Sequence, residues 1–158
     1  MKLSLGLVQA GNMDEEAQDE SRDMSTTWFI AKEYLKRLEV SFEEHGRKTF
    51  SLYPYGPTET KEIEVFPGAH WITLTTRLYD LRSIPKKQRA SVYEQLLKTN
   101  ASLVEITFGL DKKNFVTIRN AIPVTGISYD VFNATYEAHL SGIKLFHGKL
   151  KGSLGLKD

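Results

Sequence analysis

The stretch that decides the fold runs from Gln95 to Pro123. It reads Gln95-Leu96-Leu97-Lys98-Thr99-Asn100, then Val104-Glu105-Ile106-Thr107-Phe108-Gly109-Leu110-Asp111, then Phe115-Val116-Thr117-Ile118-Arg119-Asn120-Ala121-Ile122-Pro123. The first piece closes a helix predicted over 85–99, with Pro85 suited to its first turn and Val92, Tyr93, Leu96 and Leu97 on its apolar face. The second predicts a strand near 103–109, where Val104, Ile106 and Phe108 share a side. The third predicts a strand near 115–121 with Val116 and Ile118 together, and the turn Asp111-Lys112-Lys113-Asn114 joins the two as a hairpin.

Upstream, Ser25 or Thr26 caps a predicted helix over 26–39, with Trp28, Ala31, Leu35 and Leu38 on one stripe. Gly46 opens a strand near 47–53, ended by Pro54, Gly56 and Pro57. A second strand near 61–66 points Ile63 and Val65 one way and Glu62 and Glu64 the other. Pro67-Gly68 turns into a third, near 69–79, with Ile72, Leu74 and Leu78 on one face. Downstream, Ser128 caps a last helix whose buried stripe is Phe132, Tyr136, His139, Ile143 and Phe146. The order is helix, three strands, helix, two strands, helix. Short turns make neighbouring strands antiparallel, so the expected fold class is α+β, a five-stranded antiparallel sheet with helices packed on one face.

The chain has 158 residues, the length of one domain. Residues 12–23 hold six acids and one arginine, so 1–23 reads as an N-terminal arm with an acidic linker. The α+β domain is expected over 24–147, and 148–158, with three lysines and three glycines, reads as a flexible basic tail. The formal net charge of +1 gives bulk electrostatics no case for nucleic acid or membrane. With no cysteine, disulfides and thiolate chemistry are excluded. No apolar run approaches the ~20 residues of a membrane span. The N-terminus alternates Leu3, Leu5 and Leu7 with Ser4 and Gly6, unlike the continuous apolar core of a signal peptide, so the expected compartment is the cytoplasm.

Motifs of catalysis are weak. Gly142 to Lys149 has one residue too many between its glycines for a phosphate loop, and Leu150 stands where a hydroxyl must hold the metal. Ser83-Ile84-Pro85-Lys86 matches a serine–lysine tetrad by letters only. His139 and His147 are eight apart, outside the three-or-four spacing of helical metal ligands, and His139 reads as a structural histidine on an apolar stripe. His45 follows Glu43-Glu44 in what reads as a solvated turn, and Glu62 with Glu64 reads as an exposed strand face. No catalytic residue, cofactor or metal ligand is assigned. Tyr53, Tyr55, Phe66, Trp71 and Tyr79 lie on or beside the first three strands. With Tyr93 and Leu97 of the helix over 85–99 they are the candidate protein-binding residues, an apolar contact surface facing another chain.

The Gln95–Pro123 stretch, with the helix exit Leu38-Glu39-Val40-Ser41-Phe42, resembles the YbjN-type family, whose members are often labelled sensory transduction regulators and look like type III secretion chaperones in fold. The resemblance covers about residues 24–146 and carries no catalytic residues. It implies a compact α+β domain that often pairs as a homodimer and binds polypeptide, secretion chaperones of this shape wrapping an extended client around apolar grooves and strand edges. Those chaperones tend to be acidic whereas this chain is near neutral, which favours a general protein-binding or regulatory role over effector export. The expected function is a non-catalytic, chaperone-like domain, a homodimer with a protein or peptide client. Two other readings stand beside it. One is a small ligand-binding domain or enzyme using His70, Arg77 and Glu64 on the outer sheet face. The other is a single-stranded nucleic-acid binder using the aromatics with Lys112, Lys113 and Arg119.

Overall fold

The structure, a computed structural model, describes residues 26–56 and 61–157. The arm and acidic linker over 1–23, together with Pro57 and Glu59, lie outside the described residues.

Helix α1 spans 26–37 and buries Trp28, Ala31 and Leu35, the i, i+3, i+4 stripe read from the sequence. It ends where Glu39 takes φ 55, a left-handed cap. Strands β1 (Phe42–His45) and β2 (Thr49–Leu52) follow as a hairpin turning at Gly46, whose φ of 62 suits a residue without a Cβ. β1 adds a strand to the five expected. Its sequence, Phe42-Glu43-Glu44-His45, has one apolar residue and no alternation to read, and Gly46 makes its turn rather than starting the next strand.

Strands β3 (Ile63–Pro67) and β4 (Trp71–Asp80) come next, then a 3-10 turn over Leu81–Ser83 and helix α2 (Lys86–Asn100). Strands β5 (Thr107–Leu110) and β6 (Phe115–Pro123) form the second hairpin, and helix α3 (Tyr129–Leu145) closes the domain. The six strands form one antiparallel sheet in the order β1-β2-β3-β4-β6-β5. Side chains alternate across it. Phe50, Val65, Leu74 and Asn120 share a row on the helix side, and Ser51, Glu64, Thr75, Arg119 and Thr107 share the neighbouring row on the outer side.

The core lies between the helix side of the sheet and the helices. Ser128 caps α3 by accepting from the Val131 amide (3.3 Å), and Phe132, Tyr136, His139, Ile143 and Phe146 are all buried, as their spacing predicts. Gly142 lets α3 press onto β6: a Cβ there would fall inside Ile118 Cδ1 and 2.7 Å from Ile106 Cδ1.

Three local readings change. The strand expected from 103 begins only at Thr107, because Glu105 takes φ 71 and breaks the extended run. Val104 is therefore 83% exposed instead of packing beside Ile106 and Phe108. A bulge between Arg77 and Tyr79 shifts the β4 register, so Tyr79 pairs with Val116 and packs against the core, with Lys151 Nζ 5.9 Å from its ring. The residues read as a tail from 148 instead continue α3 through a π turn (Phe146–Leu150) and a short helix α4 (Lys151–Ser153), and Leu156 is buried in the core.

Candidate functional site

Helix α2 buries Val92 and Leu96 but leaves Leu97 69% exposed. It packs on β5, an edge strand, and the two are joined at their ends by Asn100. The Asn100 amide donates to the Phe108 carbonyl and its Oδ1 accepts from the Phe108 N–H, both at 2.8 Å. One side chain thus serves Phe108 as a strand partner would, closing part of a sheet edge that otherwise invites pairing. Between helix and strand lies a shallow hollow of about 210 Å³ lined by Tyr93, Leu96, Leu97, Phe108, Gly109 and Leu110. With Leu110 44% exposed, this is an apolar strip at the rim of the sheet.

A second apolar patch stands at the β3–β4 turn. Phe66 is 44% and Trp71 52% exposed, and both rise from the outer face; Phe66 pairs with Thr73, two residues from Trp71, and Trp71 pairs with Pro123. Gly68 holds the turn tight, its N–H donating to the Trp71 carbonyl (2.8 Å).

The structure does not gather the other candidates there. Tyr79 sits at the far end of β4, eight residues on, so ~26 Å separates it from Trp71, and it faces the helices. Tyr53 is half-buried, its hydroxyl 3.4 Å from Glu43 Oε2. Tyr55 lies after β2 with Lys61 Nζ 5.6 Å from its ring. Lys112 and Lys113 occupy the β5–β6 turn, at the end of the sheet away from Trp71, so cations and stacking aromatics do not converge.

The rest of the outer face is polar. A hollow of about 520 Å³ is lined by residues that include His45, Ser51, Glu62, Glu64, Arg77 and Asp111. Two of the three residues considered for ligand binding, Glu64 and Arg77, meet there; His70, in the β3–β4 turn, does not. All of that hollow's named residues but Glu64 are already engaged with one another. His45 Nε2 lies 2.7 Å from Ser51 Oγ, and that hydroxyl donates to Glu62. Arg77 donates to Asp111 Oδ2 (2.7 Å). Burial pushes the Asp111 carboxyl up, but the Phe115 amide, Arg77 and the Lys113 amide outweigh it and hold it below the usual carboxylate range. The sequence places His45 and Asp111 in turns and gives Ser51 no signal of its own; only the β1–β2 register and the β5–β6 hairpin bring them to Glu62 and Arg77.

Among the described residues no group of three or more His, Asp or Glu is placed to hold a metal, and no helix is long and apolar enough to cross a membrane.

No family model and no curated protein matches this sequence. Solved structures do. YbjN from E. coli superposes with a TM-score of 0.60 at 15% identity, over 75% of this chain and 86% of that one. A chain of the ExsC–ExsE complex superposes at 0.59 with 18% identity, over 80% and 95%. The type III secretion chaperone SycH of Yersinia pestis, in complex with a fragment of YscM2, superposes at 0.50 with 12% identity, over 76% and 96%. The fold is that of YbjN and the secretion chaperones. In this YbjN-like fold the Asn100 of Leu96-Leu97-Lys98-Thr99-Asn100 and the Asp111 of Phe108-Gly109-Leu110-Asp111 have structural work. Asn100 clamps β5, and Asp111 Oδ1 accepts from the Lys113 and Phe115 amides to set the hairpin turn.

Proposed function

We propose that this chain is a non-catalytic, cytoplasmic polypeptide-binding domain of chaperone-like or regulatory kind, acting as a homodimer. The observation that carries the reading is the apolar strip along α2 and β5, where Leu97 and Leu110 are solvent-exposed beside Tyr93 and Phe108. Leu97, 69% exposed on the same strip as the 44% exposed Leu110, suits a two-fold contact in which α2 meets its copy. The fold shared with SycH, which is in complex with a protein fragment, supports a polypeptide client. Phe66 and Trp71, with Pro123 beside them, form the patch that meets it, two aromatic anchors on a rigid turn. The near-neutral charge leaves the recognition to apolar contact and strand-edge pairing rather than to electrostatic steering.

Light scattering tests the dimer. The wild type is expected at twice 18.0 kDa and Leu97→Asp at 18.0 kDa, with unchanged circular dichroism. A wild type that stays at 18.0 kDa at micromolar concentration ends the dimer.

A second reading has its own observation, the polar hollow with Glu64 and Arg77. A small polar ligand that raises the melting temperature of the wild type but not of Arg77→Ala would carry it. It ranks second because the hollow's serine, histidine and guanidinium groups already have partners within the fold.

A further inference from the structure

We infer that the outer face of the sheet carries a binding site for a free amino acid, held by Glu64 at its ammonium and by Arg119 at its carboxylate. The two residues lie in one row across the sheet, Glu64 on β3 and Arg119 on β6, each paired with Thr75 of β4 between them. Two strand spacings put their Cα atoms ~10 Å apart. Their charges are opposite, yet they do not meet. Neither forms an ion pair or a side-chain hydrogen bond among the described residues.

Free charges on a surface are ordinary. What makes this pair a site is the floor between them. Thr117 points to the same face from β6 and is only 8% exposed. Its hydroxyl has no hydrogen-bond partner among the described residues, although polar groups buried to that degree are as a rule bonded. Directly opposite Thr117 on β5 stands Gly109. Glycine weakens a strand interior, and a common reason for one there is the close approach of another group. No left-handed φ requires it at this position, and a Cβ would stand 3.7 Å from Thr117 Oγ1. What the glycine leaves is open space beside that hydroxyl.

Two hollows meet on this floor. One is the polar hollow of about 520 Å³ that holds Glu64. The other, of about 590 Å³, holds Arg119 and Gly109, and Thr75, Asp111 and Thr117 line both. A ligand lying across the shared floor has a carboxylate on one side, a guanidinium on the other and hydroxyls beneath. An ammonium brings three donors, enough for Glu64 and for the hydroxyls of Thr75 and Thr117, and a carboxylate matches the fork of Arg119. A cation alone would face Arg119, and an anion alone would face Glu64. The arrangement therefore selects a small molecule that carries both charges close together, the chemistry of an α-amino acid. Arg77 and Asp111 are spent on each other and shape the wall. The site uses neither Leu97 nor the Phe66–Trp71 patch, so it is independent of the dimer and of polypeptide binding. It calls on the side chains that the polar-ligand reading leaves unengaged.

Calorimetric titration of the full chain with each of the standard amino acids, and with the N-acetyl and amide forms of any that binds, tests the inference. At least one free amino acid is expected to bind. Removing either of its charges should weaken it about tenfold or more, the loss of one charge-assisted hydrogen bond. Glu64→Gln and Arg119→Gln should each cost about as much. Gly109→Ala, which fills the notch, should lose binding while the unliganded protein melts as before. Glu105 lines the second hollow outside the Glu64–Thr75–Arg119 row, and Glu105→Gln should bind as the wild type does. No binding of any amino acid at millimolar concentration overturns the inference, as does binding that survives both Glu64→Gln and Arg119→Gln. Binding lost in Arg77→Ala but kept in those two variants overturns it as well, and leaves the polar-ligand reading standing.

Discussion

Asn100 and Phe108 exchange two hydrogen bonds of 2.8 Å, the side chain of one doing for the backbone of the other what a seventh strand would do. The pair ties the end of α2 to the rim of the sheet, and so fixes the strip on which self-association is proposed. Asn100→Ala removes both bonds and leaves part of the β5 backbone to water. A loss of about 2 kcal/mol in chemical denaturation is expected, with weaker dimerisation. Asn100→Asp keeps the acceptor but not the donor and should fall between the two. An Asn100→Ala protein as stable as wild type would mean the clamp is ornamental.

His139 predicts a pH dependence. Its ring is fully buried, with Nδ1 2.6 Å from Asn120 Oδ1 and Nε2 2.9 Å from Thr76 Oγ1. Asn120 spends its amide on the Glu105 carbonyl (2.9 Å), so its Oδ1 must accept. The proton therefore sits on Nδ1, and Nε2 accepts from Thr76. Burial pulls the histidine from 6.5 down to about 4. Between those values the unfolded chain takes up a proton that the folded chain refuses. Stability is unaffected by this group above pH 6.5, falls as pH drops toward about 4, and levels off below. The loss amounts to about 3 kcal/mol. Urea titrations of wild type and His139→Gln across that range check it. Equal slopes for the two would contradict the assignment.

Gly142 predicts a coupled pair. Alanine gains about 1 kcal/mol in helix propensity but drives a Cβ into Ile118 and Ile106, and overpacking costs about 1–3 kcal/mol. Gly142→Ala should destabilise. Ile118→Val removes the Cδ1 atom in the way, so the double variant should lose less than the two single losses added together. Strict additivity in thermal unfolding would show that α3 has room to move off β6.

Much of this molecule was legible because its signals are periodic. The α3 stripe from Phe132 to Phe146 and the Ser128 cap follow from spacing and one hydroxyl. What escaped has local causes without a periodic trace. β1 shows a single apolar residue, Phe42, in contact with Phe50, and owes its place to pairing with β2. Tyr79 left the outer face because a bulge shifts alternation by one. Val104 left the core because Glu105 adopts a left-handed φ that its residue type does not announce. For the candidate site, Leu97 was legible as apolar but its exposure was not. Helical spacing puts Tyr93 and Leu97 on one stripe without saying whether another element covers it. The polar hollow was half legible, through Glu64 and Arg77; its other members arrive by register.

Glu39 offers a stabilising change. It holds φ 55 just after α1, where a Cβ is strained and glycine is not. Glu39→Gly should gain up to about 1 kcal/mol with the fold unchanged. A loss instead would place an unrecognised contact at that side chain.

The central claim is that this chain works by presenting apolar surface to another polypeptide. Selection of random displayed peptides on the immobilised full-length protein tests it most directly. Enrichment of extended, aromatic- and aliphatic-rich sequences is predicted, falling at least tenfold when Phe66 and Trp71 are both replaced by alanine in a protein that still folds. Enrichment of nothing, or of peptides indifferent to those two rings, would contradict it.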